Sequence, residues 1–388
     1  IESHKMGGDC LNYGCVPSKA LIRTAAFLQQ VKNARSLGIA QTSVQYDFAA
    51  VMDRVRRVVK TVEPHDSVQR YTQLGVEVLQ GKATITSPWS VEINGQILTT
   101  RAIIIATGAR PIVPKIPGLE SVRYYTSDTI WSLNERPERL VVLGGGPIGC
   151  ELAQAFARLG CQVTQVERGD LMMREDADAM ELVKTALQAD GVKILTQTEA
   201  LRCETEGDAR YLIVRGQDGE ETKLPFDALL CAVGRMPRTE GFGLEELGIP
   251  VSSQHTIETN AWLQTIYPNI YACGDVAGPY QFTHTAAHQA WYASINALFG
   301  DIKHFKVDYS VVPWATFTDP EVARVGLSEK EAKARKIAFE VTRFNLADLD
   351  RAIADEAAHG FVKVLTVPGK DRILGVSIAG AHASDLLA

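Results

Sequence analysis

The chain has 388 residues, 46% of them hydrophobic and 22% charged, with a formal net charge of −6 and a pI near 5.8, the profile of a soluble globular protein of two or three domains. The acidic balance argues against nucleic acid or an anionic membrane as the main partner. The longest apolar runs, such as Ala102 to Ala106, are strand-sized, so no membrane span is expected.

In chain order, the first informative element is Gly8-Asp9-Cys10-Leu11-Asn12-Tyr13-Gly14-Cys15-Val16-Pro17-Ser18-Lys19. A regular helix would hold the two cysteine Cα atoms roughly 8 to 9 Å apart, beyond the limit of about 7 Å for a disulfide. A redox dithiol therefore needs a bend, which Gly14 can supply. Pro17 suits a first helical turn and would put Cys15 at a helix N-terminus, where the dipole and free N–H groups favour a thiolate. A structural disulfide and a zinc half-site with His4 are the competing readings. The first is at odds with seven scattered cysteines and no secretory segment, which point to a reducing, cytoplasmic setting. The second lacks another ligand pair at metal spacing.

Helical spacing of apolar residues follows over Leu21 to Lys32 and Phe48 to Leu74. Short strands are expected at Val76 to Leu79, Ala83 to Ile85, Ser90 to Ile93 and Ile97 to Thr99. A buried strand, Ala102 to Ala106, closes on Thr107-Gly108, and the Pro-rich stretch Pro111 to Gly118 reads as a linker.

The best physical motif is Leu140 to Leu143, Gly144-Gly145-Gly146-Pro147-Ile148-Gly149, then a helix over Cys150 to Leu159. This is G-x-G-x-x-G between a strand and a helix. Gly144 allows the tight turn, Gly146 lets the backbone approach a pyrophosphate, and Gly149 permits close helix packing, while the helix N-terminus faces the negative charge. The next strand, Gln162 to Glu167, ends in an acid suited to the ribose hydroxyls of NADH. Arg168 and Arg174 stand nearby and could instead take the extra phosphate of NADPH; NADH is favoured. A solvated strand end is the plain alternative for Glu167 and Arg168.

Phe226 to Val233 is another buried strand, followed by Gly234-Arg235-Met236-Pro237. Asn269 to Val276 contains Gly274-Asp275, and Gln281-Phe282-Thr283-His284 opens a helix towards Leu298. From Asp308 onward alternating strands are expected at Thr316 to Gly326, Gly360 to Val367 and Arg372 to Ile378.

The pattern G-G-x-C-x-N-x-G-C-x-P-S-K strongly resembles the active-site signature of the flavin-dependent pyridine nucleotide-disulfide oxidoreductases, the family of dihydrolipoamide dehydrogenase, glutathione reductase and mercuric reductase. The A-T-G, G-x-G-x-x-G and G-D motifs follow in the family order. The resemblance implies an α/β fold with two Rossmann-like, doubly wound domains for FAD and NAD and a partial α+β interface domain. The corresponding boundaries are 1–117 and 239–305 for the FAD-binding domain, 118–238 for the NAD(P)-binding domain and 306–388 for the interface domain of a homodimer.

It further implies that FAD meets Glu2 at the adenosine ribose, Ala83 at the adenine, Thr107, Gly108, Asp275 at the ribityl chain, and the helix start Gln281, Phe282, Thr283 and His284. NAD(P)H would meet Gly144, Gly146, Gly149, Glu167 and Gly234. Glu151 would pair with Lys19 as a buried couple at the flavin edge facing the nicotinamide; an ordinary helix-surface Glu151 is the alternative. Pro147 replaces the residue that often covers the flavin, and Arg238 stands where asparagine is usual.

The implied reaction passes electrons from NAD(P)H through FAD to a Cys10–Cys15 disulfide, with Cys15 nearer the flavin and Cys10 the interchange thiol. They then go to a small-molecule disulfide or a metal ion; no resident metal is expected. Within the family the residues from Glu151 to Gly160 and Arg174-Glu175-Asp176 resemble mercuric reductases most, with dihydrolipoamide dehydrogenase next. A flavin NADH oxidase or transhydrogenase with an idle dithiol and a non-catalytic redox scaffold are the other readings. The resemblance also implies truncation at both ends. The first FAD-binding βα unit would precede Ile1, and the His-Glu catalytic base and any second cysteine pair would follow Ala388.

Overall fold

A computed structural model describes residues 1–387. By contact density the chain divides into two units, one of Ile1–Gly14, Val59–Pro111 and Arg235–Tyr309, the other of Cys15–Val58, Ile112–Gly234 and Ser310–Ala388.

In the first unit, Ala83–Ser87, Ser90–Ile93 and Gln96–Thr99 form an antiparallel meander. Its second turn is Asn94-Gly95, where both residues take positive φ, 52° and 77°, as a two-residue hairpin requires. Ile103–Ile105 pairs in parallel with Ile270–Ala272. Ala109–Pro111 pairs antiparallel with Arg235–Pro237. Ile85, Ile103, Ile105, Leu244, Ile257 and Ile270 form the local core. β-branched residues suit these short strands because their stiff χ1 packs well on a pleated surface.

The second unit is built on a parallel sheet in the order Tyr124–Thr126, Ala228–Cys231, Arg139–Leu143, Gln162–Val166, Lys193–Leu195. The strands Arg139–Leu143 and Ala228–Cys231 are covered on both faces and read as near-continuous apolar runs; Leu140, Val141, Val142 and Leu143 are all buried. Helix Pro147–Arg158 follows the central strand, and helix Cys15–Lys32 packs against it. A C-terminal antiparallel sheet runs Pro313–Thr316, Glu321–Gly326, Ile373–Gly380, Phe361–Thr366, Glu340–Asn345.

Several elements differ from the sequence expectation. The helix expected over 48–74 breaks into Phe48–Val62, a 3-10 turn at Glu63–Asp66 and Val68–Gln73, because Pro64 cannot donate an i→i−4 hydrogen bond. Val76 to Leu79 forms no strand; a parallel bridge of Glu2 with Gln80 follows it directly. Phe226 belongs to an antiparallel strand, Glu221–Phe226, rather than to the parallel strand after it. The run from Thr316 to Gly326 is interrupted at Phe317 to Pro320. Strands Glu199–Glu206 and Ala209–Arg215, the helix Ala177–Ala189 and the exposed strand Glu340–Asn345 had no sequence expectation.

Candidate active site

In the second unit the glycine loop is fixed by backbone-on-backbone contact. Gly144 has φ +113°, and a Cβ there would lie 2.3 Å from the Ala232 carbonyl oxygen. A Cβ on Gly149 would lie 2.2 Å from the Gly144 oxygen. Gly146 differs: a Cβ there would meet nothing within 4 Å. It is the N-cap of helix Pro147–Arg158, with no side-chain cap among the described residues. The helix N–H groups thus face an open cradle of the kind that binds a pyrophosphate. These residues fit a dinucleotide.

Glu167 stands beside this loop. Its Oε2 accepts the Gly145 N–H at 2.5 Å and its Oε1 the Gly169 N–H at 2.7 Å, so the carboxylate is oriented by main chain. Arg168 and Arg174 are exposed. Gln165, fully buried, donates to the Gly144 oxygen at 2.9 Å, and the Met172 N–H donates to the Gly145 oxygen at 2.8 Å. The sequence reading missed both. A glutamine beside the buried Val163 and Val166 was the available signal for Gln165. Gly234, with φ +125°, follows the parallel strand Ala228–Cys231, and its carbonyl accepts the Ile112 N–H at 2.9 Å.

Lys19 Nζ lies 2.8 Å from Glu151 Oε2. Glu151 is buried at 6% exposure, and its Oε1 accepts the Phe317 N–H at 2.9 Å, so it is no helix-surface residue. The couple is not wholly buried, because the Lys19 side chain keeps 36% of its surface accessible. Its ammonium also sits 4.3 Å from the centroid of the Phe317 ring. Cys15 opens the helix that carries Lys19 and is exposed.

The second unit also holds an ion network that the sequence reading left undeveloped. Lys363, 1% exposed, contacts Asp176, Asp178 and Glu329 at 2.9, 2.9 and 3.0 Å. Arg324, equally buried, reaches Glu331 at 2.6 Å and Glu175 at 3.3 Å. Burial works to raise the Asp176 carboxyl, but the Lys330 N–H, the Lys363 ammonium and the Glu329 N–H outweigh it and hold the group below the usual carboxylate range.

In the first unit, Cys10 lies half-buried in the short helix Gly8–Asn12. The chain turns at Tyr13-Gly14, both of whose N–H groups donate to the Asp9 oxygen, at 2.9 and 2.6 Å. Here Gly14 allows a close approach, since a Cβ would lie 3.1 Å from that oxygen, tighter than ordinary van der Waals contact. Thr107 Oγ1 donates to the Arg238 oxygen at 2.7 Å, and the Arg238 N–H donates to the Gly108 oxygen at 2.9 Å. Gly108 has φ +67° with open space where a Cβ would stand.

Asp275 lies in the 3-10 turn Gly274–Val276, with Arg235 Nε 3.8 Å from its Oδ2. Gln281 Nε2 donates to the Arg235 oxygen at 3.4 Å. Phe282 caps helix Thr283–Phe299 and stacks on His284, ring centroids 5.4 Å apart; Thr283 and His284 are exposed. The open space at Gly108, the half-buried Asp275 and a helix start with no side-chain cap among the described residues fit a flavin nucleotide. Thr107, Gly108, Asp275 and Gln281 are thus joined through the strand Arg235–Pro237 and the residue after it. Glu2 instead bonds the 79–81 segment, and its Oε1 accepts the His4 N–H at 2.7 Å; Ala83 opens the meander by pairing with Ile93.

The other five cysteines are buried. Burial pushes the thiols of Cys150 and Cys231 up to about 12 and those of Cys161, Cys203 and Cys273 up to about 11. Among the described residues no group of His, Cys, Asp and Glu is arranged to hold a metal, and no helix is long and apolar enough to cross a membrane.

Residues 1–290 match the family described as pyridine nucleotide-disulphide oxidoreductase, and residues 312–388 match its dimerisation domain. A mercuric reductase of Lysinibacillus sphaericus is 33% identical over 388 residues, covering all of this chain and 70% of the relative. A dihydrolipoyl dehydrogenase of Bacillus subtilis is 33% identical over 395 residues and is covered to 84%. The HOCl-induced flavoprotein disulfide reductase RclA of Escherichia coli, solved as its Cu(II) complex, is 29% identical with a TM-score of 0.85; the match covers all of this chain and 85% of that one.

Proposed function

The chain belongs to the pyridine nucleotide-disulphide oxidoreductase family, enzymes that use FAD and NAD(P)H, and from that premise we propose that Cys10 and Cys15 are its redox dithiol. The observation that carries this reading is the Lys19–Glu151 ion pair at 2.8 Å. It locks the helix that begins with Cys15 to the helix that begins at the glycine loop.

Bound NAD(P)H and FAD supply the hydride relay that brings two electrons to the dithiol. The helix start at Cys15 favours its thiolate. Buried Glu151 holds the Lys19 ammonium in place while the Phe317 N–H fixes the carboxylate. Cys10, as interchange thiol, attacks one sulfur of the incoming disulfide and expels the other as a thiolate, and Cys15 then attacks the mixed disulfide at Cys10, releasing the second thiolate and re-forming the Cys10–Cys15 bond; with a metal-ion substrate, Cys10 is the thiolate that binds it. Gly144, Gly146 and Gly149 hold the pyrophosphate, and Glu167 selects NADH, with exposed Arg168 and Arg174 as the residues that would favour NADPH. Gly234 lies on the NAD(P) side. Glu2, Ala83, Thr107, Gly108, Asp275 and the segment Gln281 to His284 hold FAD. The functional domains are 1–117 with 239–305, 118–238 and 306–388, and the last builds a homodimer in a reducing, cytoplasmic setting.

The substrate reading is mercuric reductase-like, with dihydrolipoamide dehydrogenase second; relatives of both descriptions support it at equal identity. NADH consumption with Hg(II), lipoamide and oxidised glutathione as competing acceptors decides between them. A long-wavelength absorbance on two-electron reduction is expected, lost in Cys15→Ser and kept in Cys10→Ser. Its persistence in Cys15→Ser would sink the dithiol assignment.

A further inference from the structure

The helix that carries Cys10 cannot hold itself. It is five residues long, its N-cap Gly7 offers no side chain, and Gly7 and Gly8 both sit at positive φ, 86° and 57°; so short a segment is not stable alone. Buried Leu11 and the Asn12 side chain, which donates to the Met6 and Gly8 oxygens at 2.9 Å, anchor it locally. Asp9, next to Cys10, ties it to distant sequence. Its main-chain oxygen takes the Tyr13 and Gly14 N–H groups, and its carboxylate pairs with Arg235 Nη2.

Arg235 in turn is a junction. Its side chain is 14% exposed, its Nη2 donates to the Ala109 oxygen at 3.2 Å, its Nε faces Asp275 at 3.8 Å and its carbonyl accepts from Gln281 at 3.4 Å. One residue thus joins the Cys10 segment, the strand after Thr107-Gly108, the Gly274-Asp275 turn and the start of helix Thr283–Phe299.

We infer that the Asp9–Arg235 ion pair is a positioning device for Cys10, holding the interchange thiol in a fixed orientation on the flavin-binding frame. This rests on the reading of Cys10 as interchange thiol. In this role the two residues act through the Cys10 segment.

The test uses the FAD-loaded protein and two activities. Reduction of a disulfide acceptor by NADH needs the dithiol, whereas reduction of ferricyanide needs the flavin alone. Asp9→Asn is expected to cut disulfide turnover about tenfold while ferricyanide reduction stays within about twofold. Asp9→Glu, which keeps the charge, should recover at least half of the lost turnover. Arg235→Lys, which keeps the charge but not the fork, should fall between. Disulfide turnover of Asp9→Asn within about twofold of wild type would overturn the inference, and so would a parallel fall of both activities or loss of FAD. A Cys10→Ser protein that still turned over disulfide would instead remove the interchange role of Cys10, a result readable apart from the Asp9 series.

Discussion

The glycine loop at 144–149 and the cysteine segment at 8–19 are both short backbone devices, yet they are held in opposite ways. The loop is a steric object. Two of its glycines leave no room for a methyl group, at 2.3 and 2.2 Å from carbonyl oxygens, and its polar groups are taken by Gln165, Glu167 and Met172. The cysteine segment is a tethered object. Cys10 is half-buried, Cys15 is exposed, and the polar ties run to residues far along the chain, Arg235 and, through Lys19, Glu151. A nucleotide site needs a fixed shape, whereas an exchanging thiol needs access with orientation.

The largest effect should come from the dithiol itself. Cys10→Ser or Cys15→Ser should lower NADH-driven disulfide reduction by roughly a thousandfold or more, measured beside ferricyanide reduction, which should persist. Equal loss of both activities would mean that the segment is structural.

Next is the steric contrast within the loop. Gly149→Ala forces a Cβ onto a main-chain oxygen, a strain of about 1–3 kcal/mol, and should raise the KM for NADH while lowering Tm. Gly146→Ala has free space and should leave Tm unchanged while still raising that KM. If both variants shift Tm alike, the loop is not organised as described.

Glu151→Gln should cost less. It removes the partner of a lysine that is partly solvated, so the loss to stability is about 1 kcal/mol, read by denaturant unfolding. Disulfide turnover should fall further than that loss explains.

The smallest effect is in pH. The Asp176 carboxyl lies below its ordinary value in the folded chain, so its stabilisation is full above the ordinary carboxylate range. It drains away as pH falls through the depressed folded value. Asp176→Asn should therefore flatten the acid limb of a Tm-against-pH profile and leave the ferricyanide activity at neutral pH intact. An unchanged acid limb would remove Asp176 from the network's role.

Much of the site could be read from residue order because its causes are local. Strand, glycine loop and helix at 139–158 follow from an apolar run, three glycines and a proline at the first helical position; the bend at Gly14 is what a disulfide between two cysteines with four residues between them requires. Pro64 was legible too, yet the apolar period across Phe48 to Leu74 masked the break that it makes. What the pattern could not yield was every partner fixed by distant chain. Examples are Gln165 beneath Gly144, Met172 on Gly145, Arg235 on Asp9, and Lys363 among three carboxylates, a lysine that its residue type alone would place in solvent.

The sequence by itself, through its resemblance to a known family, indicated the family, the chemistry and the cofactors, since the motifs that carry the resemblance each span only a few residues. Tertiary structure decided that Glu151 is buried and Lys19 only partly so, and that Asp9 pairs with Arg235. The physical reason is that burial and ion pairing are properties of packing between segments more than a hundred residues apart, as with the |i−j| of 132 for Lys19 and Glu151 and 226 for Asp9 and Arg235, and no local spacing encodes them.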